Sequence, residues 1–182
     1  EPTRAEVYEA VRHGSVWRVR ELHPQGARPA RRFGSCAAYV ADPTQGLDGV
    51  IVLGGQEGGP PNTTVALYNE VWWLDLSVAP GGRWVNITDR FDNLAAFGAR
   101  REAACAYDPT TRKFYTWMGR ADATIPDGAS HSAGIWRVGL DTLGDATTRL
   151  TWERLAKDLQ ADVTGMRLVP SVFDLKNGRF FA

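Results

Sequence analysis

The chain has 182 residues, and its 21 Lys and Arg residues balance its 21 Asp and Glu residues, so the formal net charge is zero. Nucleic-acid binding requires a clustered excess of positive charge, and this balance argues against a nucleic-acid partner. A membrane-spanning helix needs about 18 consecutive apolar residues, and no such run occurs, so we expect no direct membrane insertion.

The first predicted element covers residues 6–22. Two β-rich runs, 7–11 and 15–22, flank a His13-Gly14 turn, and the second run alternates apolar and polar residues as a half-buried strand does. The sequence therefore predicts two strands here. A short helix over residues 5–12 is the alternative for the first run.

A short sequence motif then occurs three times, and each copy begins with arginine and ends near an aspartate. The copies begin at Arg31, Arg100 and Arg167. The aspartates at positions 42, 108 and 174 are spaced by 66 residues in both steps. A fixed period of this kind indicates a repeat architecture.

Each repeat predicts four short strands. The first strand follows the arginine, the second is an apolar run that ends in glycine, the third is aromatic, and the fourth carries a single tryptophan of the series Trp17, Trp84 and Trp152. The adjacent Trp72 and Trp73 lie in a third strand and should face opposite sides of it, so that one packs on each neighbouring repeat unit. Four-stranded units in series are typical of β-propeller blades.

With these parts in this order, the chain resembles the kelch-repeat family. The resemblance rests on the arginine and small-residue strand, on Gly54-Gly55, on residues 69–75 and on Trp84. It implies an all-β fold of kelch-like β-propeller blades, each a four-stranded antiparallel sheet, in an incomplete ring. Repeat two departs from the pattern, with Met118-Gly119 at the glycine pair, and the period exceeds the about 50 residues of kelch repeats. Another antiparallel array, such as a sandwich, is the alternative.

The predicted organisation treats residues 1–182 as one propeller segment. Residues 6–22 form the end of one blade, 31–88 and 100–156 are full blades, and 167–182 start the next. Propellers typically have about four to eight blades, so we expect the remaining blades to come from the same or another chain.

The resemblance implies a non-catalytic recognition or scaffold module that binds a protein or glycan partner through loops. The loops after the second and fourth strands of each blade should emerge on one face, and they are 23–31, 56–68, 88–99, 120–132 and 156–166. The candidate partner-binding residues are Arg32, Gln56, Asn69, Arg101, Arg120 and His131. The alternatives are part of a secreted kelch-like enzyme, such as a copper oxidase with its active site largely outside this segment, and a structural subunit of a large assembly.

No residue pattern predicts catalysis, a cofactor or a metal site. The histidines, His13, His23 and His131, lack metal-ligand spacing. Asp122, Asp127 and His131 share one loop, where an acid–base pair is possible but a solvated loop is favoured. Kelch-like copper oxidases use tyrosine, histidine and cysteine, and nothing orders those residue types into a site here. They occur as Cys105, Tyr107, Tyr115 and His131.

The two cysteines are predicted to be free. Aligned on Tyr39 and Tyr107, Cys36 and Cys105 are offset by one position, so their side chains should point to opposite faces of equivalent strands. We therefore expect no disulfide between them, and expect both to be buried as small apolar residues.

Two tripeptides match the N-glycosylation sequon and make Asn62 and Asn86 glycosylation candidates. They favour a secreted or lumenal protein only mildly, and a cytosolic one stays an equal alternative.

Overall fold

A computed structural model describes residues 6–57, 66–78, 80–120, 134–156, 172–174 and 179–181. The described chain is nearly all β, in several antiparallel sheets of which none closes on itself. Its helical elements are a 3₁₀ turn, Thr88–Arg90, and one short helix, α1, Leu94–Phe97. The predicted all-β class is therefore confirmed.

The first element is a hairpin of β1 (Val7–His13) and β2 (Val16–Leu22). Gly14 in its turn has φ +62°, which glycine adopts without strain. The alternative of a helix over residues 5–12 is wrong, because every residue of β1 pairs with one of β2.

Residues 32–86 form the first complete sheet, here called sheet 1. A short strand, β3 (Arg32–Phe33), leads into it. The sheet's own strands are β4 (Cys36–Asp42), β5 (Leu47–Leu53), β7 (Val71–Asp75) and β8 (Arg83–Asn86), in that order and all antiparallel. Another short strand, β6 (Gln56–Glu57), pairs with β3.

Residues 104–156 repeat this arrangement as sheet 2. Its strands are β10 (Ala104–Asp108), β11 (Lys113–Trp117), β12 (Ile135–Gly139) and β14 (Glu153–Ala156). The predicted fourth strand is split, since β13 (Leu150–Thr151) pairs in parallel with β9 (Phe91–Asp92) instead of with β12. A last hairpin joins β15 (Val172–Asp174) to β16 (Arg179–Phe181).

The main core lies between the facing sides of the two sheets. Trp152 is only 2% exposed and stacks on Phe97 at 4.9 Å between ring centroids and on Phe91 at 5.7 Å. Trp73 contributes to this core, whereas Trp72 packs with Trp84 on the other face of sheet 1. The prediction for the tryptophan pair is confirmed.

The structure contradicts the prediction of free cysteines, because Cys36 and Cys105 form a disulfide with a Cα–Cα distance of 5.8 Å. The predicted one-position offset is present, but the absence of a disulfide expected from it is wrong. Cys36 shares a face of β4 with Val40, and Cys105 shares the opposite face of β10 with Tyr107, and both faces line the same core. When two sheets stack in series, one face of the first packs against the opposite face of the second. Side chains on opposite faces of equivalent strands can therefore meet at the interface.

The tryptophan series supplies a matched stability test. Replacing Trp152 with alanine removes a fully buried indole and should lower the free energy of unfolding by about 3–5 kcal/mol. Replacing Trp17, which is 62% exposed on the first hairpin, should change it by less than about 0.5 kcal/mol. Urea unfolding of both variants measures the difference, and equal losses would contradict the assigned core.

The disulfide should contribute strongly to stability, because it closes a loop with a sequence separation of 69. In the chain-entropy account a loop of that length stabilises the folded state by about 4 kcal/mol. Reduction should lower the unfolding free energy of the wild type by about that amount. The double variant C36A/C105A should be insensitive to reductant, and a reductant-insensitive wild type would show that the bond is absent.

Candidate functional site

Antiparallel pairing brings one set of connections to the same end of both sheets. This set, here called the loop end, comprises residues 32–35, 54–57, 66–70, 87–88, 100–103 and 118–120. The two sheets meet directly there, since Gly55 N–H donates to the Arg100 carbonyl at 2.8 Å and Glu102 N–H donates to the Gly34 carbonyl at 2.6 Å. The predicted grouping of loops after second and fourth strands holds only in part. The loop 23–31 departs from it, because Gln25 N–H donates to the Gly82 carbonyl at 2.9 Å, beside the β7–β8 turn at the opposite end of sheet 1.

Arg32 is the centre of the polar contacts in sheet 1. Its side chain is almost fully buried, pairs with Glu70 at 2.5 Å, and donates to the Gly54 carbonyl at 3.1 Å. The guanidinium also lies 4.0 Å above the Tyr68 ring centre. These contacts join the segments before β4, after β5 and before β7 into one rigid unit.

Glu70 also accepts a hydrogen bond from the Trp72 indole at 2.8 Å. Partial burial by itself raises the pKa of Glu70, but the hydrogen bonds from Trp72 and Arg32 and the charge of Arg32 outweigh it. The pKa of Glu70 therefore lies below its ordinary value.

Arg100 takes the corresponding place in sheet 2. It is 3% exposed, donates to the Phe97 and Met118 carbonyls, and stacks 3.7 Å from the Phe97 ring centre. Met118 has φ +59°, nearly the φ +65° of Gly54, so methionine accepts a left-handed backbone where repeat one has glycine.

Among the described residues, no carboxylate pairs with Arg100 as Glu70 pairs with Arg32. Glu70 directly precedes β7, and Gly134 directly precedes β12. Burial, with a smaller contribution from the nearby charge of Arg154, lowers the pKa of Arg100 to about 10. Backbone carbonyls thus replace a carboxylate as the acceptors for a buried cation.

Two of the other candidate residues are buried, and two more, Asn69 and Arg101, are partly buried. Gln56 and Arg120 are each 7% exposed, and the Asn69 amide donates to the Leu94 carbonyl at 3.2 Å. Arg101 pairs with Glu102 at 2.7 Å, and its backbone pairs with that of Arg120 in both directions. The structure brings Arg32, Gln56, Asn69, Arg101 and Arg120 together at the loop end, where they hold its segments in place. His131 and Asn62 lie outside the described residues.

Phe33 is the exposed aromatic side chain that sequence reasoning missed at this end. It is 48% exposed, and the Arg101 guanidinium lies 6.0 Å from its ring centre. The sequence feature that could have identified Phe33 is an aromatic residue between arginine and glycine, outside the alternating pattern of β4.

The described residues do not form the tyrosine, histidine and cysteine site that kelch-like copper oxidases use. Cys105 is bonded to Cys36, and His131 lies outside the described residues with Asp122 and Asp127. Within the described ranges, no group of three or more His, Cys, Asp or Glu side chains could hold a metal ion.

A scan against protein-family models found no match, and a search of curated proteins found no similar sequence. Among the described residues, no helix combines the length and apolar character needed to span a bilayer.

Glu70 predicts a pH dependence of stability. Because its pKa is lower in the folded state than the ordinary 4.5, its stabilising contribution is present above that value and is lost as the pH falls through the folded-state pKa. The wild type should therefore lose more stability between about pH 5 and pH 3 than the E70Q variant. Urea titrations across this range measure both slopes, and parallel slopes would contradict the role of Glu70.

Proposed function

We propose that this chain is a non-catalytic recognition module that binds a protein partner at the loop end. The observation that carries the proposal is Phe33, an exposed aromatic residue on a short strand that buried arginine contacts hold in place. The resemblance of the chain's repeats to kelch-like propellers, which bind partners through loops at one face, supports the same function.

The backbone around Phe33 has little freedom. β3 pairs with β6, Arg32 is tied to Glu70 and Gly54, and the Ser35 hydroxyl donates to the Gly54 carbonyl at 3.1 Å. A surface that is ordered before binding loses less conformational entropy when a partner docks. The buried arginines therefore act as positioning groups for the surface.

The side chains at the surface of the loop end suit a protein partner. Arg31, which precedes β3, and Glu57, which pairs with Arg32 across β3 and β6, are both exposed, and Arg101 lies beside the Phe33 ring. Aromatic residues and arginine are enriched among the residues that dominate binding energy at protein interfaces. The alternative, a glycan partner, is distinguished from a protein partner by experiment.

The partner can be identified by placing a benzophenone amino acid at position 33 and irradiating the protein in an extract of its source. A crosslinked polypeptide identified by mass spectrometry supports the proposal only if it also binds the unmodified protein directly when purified. Binding of a glycan array without any direct protein binder would overturn the choice of a protein partner.

The F33A variant should then bind the purified partner about tenfold more weakly, a loss of about 1.4 kcal/mol. W17A is the matched control, because it removes another exposed aromatic residue that belongs to the β1–β2 hairpin and not to the loop end, and its affinity should equal that of the wild type. Unfolding curves establish that both variants are folded. An F33A affinity equal to that of the wild type would refute the proposed surface.

A further inference from the structure

The sequon at Asn86 has structural features that a tripeptide matching by chance need not have. They concern the exposure and the contacts of its three residues. Asn86 is the last residue of β8, an edge strand of sheet 1, and its side chain is exposed. The Asn86 Oδ1 accepts the Thr88 N–H at 3.0 Å. Among the described residues, none accepts a hydrogen bond from its Nδ2, the nitrogen that would carry a sugar.

The other two residues of the sequon anchor it to the sheet. Ile87 is 3% exposed and belongs to the main core, and its N–H donates to the Val71 carbonyl. The Thr88 hydroxyl accepts the Val71 N–H at 3.0 Å. A glycan on Asn86 would thus project from a rigid edge of the protein without displacing any core side chain.

The disulfide is an independent observation that points to the same compartment. Cys36 and Cys105 are both buried and are bonded across the interface between the sheets. Disulfides form and persist in oxidising compartments and are rare in the cytosol. N-linked glycosylation belongs to secreted proteins, so one location accounts for both features.

We propose that Asn86 carries an N-linked glycan and that the chain matures in an oxidising secretory compartment. In the transfer, the Asn86 Nδ2 forms a bond to the anomeric carbon of an oligosaccharide carried on a lipid pyrophosphate. The bond from that carbon to the phosphate oxygen breaks, the lipid pyrophosphate leaves, and the amide nitrogen loses one proton. The proposal does not depend on the recognition function at the loop end.

The test is to express the full chain behind a cleavable secretion signal in a eukaryotic host. Peptide mapping of the secreted wild type should find a glycan on the peptide that contains Asn86, removable by an amidase specific for N-glycans. It should also find Cys36 and Cys105 in one disulfide-linked peptide pair. Mapping assigns Asn62 separately, so modification there cannot be mistaken for modification at Asn86.

Two variants control the assignment. N86Q should lose the modification of this peptide completely, whereas T88S keeps both the sequon and a hydroxyl for Val71 and should retain it. Secreted wild-type protein with an unmodified Asn86 would overturn the glycan. Free thiols at both cysteines, or a wild type that folds in a reducing cytosol but is not secreted, would overturn the compartment.

Discussion

Sheets 1 and 2 pack face to face, and this contact organises the fold. It is linked at the loop end by the Cys36–Cys105 disulfide and near the opposite end by the Arg112–Asp42 ion pair at 2.8 Å. Between these links, the connection from β8 to β10 inserts Phe91 and Phe97 against Trp152. The two four-stranded sheets thereby share one core, and neither could bury its inner face alone.

The same contact explains why so many polar side chains are buried at the loop end. Where the sheets meet, the chain repeatedly leaves its strands, and the carbonyls of those turns need hydrogen-bond donors. Arg32 and Arg100 supply donors in equivalent places, and each also stacks on an aromatic ring. Planar guanidinium groups suit both contacts, which lysine could not make together. A rigid frame for Phe33 follows from this arrangement.

The connection between β12 and β13 uses the same chemistry. Arg90 donates to the carbonyls of Leu143 at 2.7 Å, Thr142 at 2.9 Å and Asp145 at 2.6 Å, and it closes the connection between β12 and β13. Burial lowers the pKa of Arg90, with Asp145 acting in the opposite direction. Arginine bound to carbonyl oxygens is therefore a recurrent device by which this chain orders segments that lack strand pairing.

The all-β class, the period and the four-stranded units can be predicted from the amino-acid sequence, because strand alternation, turn residues and repeated tryptophans are local signals. The sequence also determined that Trp72 and Trp73 face opposite ways, since strand geometry alone decides that. Three features depend on the packing of the folded chain: Cys36 meets Cys105, Arg100 rather than Arg101 corresponds to Arg32, and β13 pairs with β9. Each of these depends on how one sheet is placed against the next, and contacts across that interface join residues far apart in the chain whose positions no local pattern specifies.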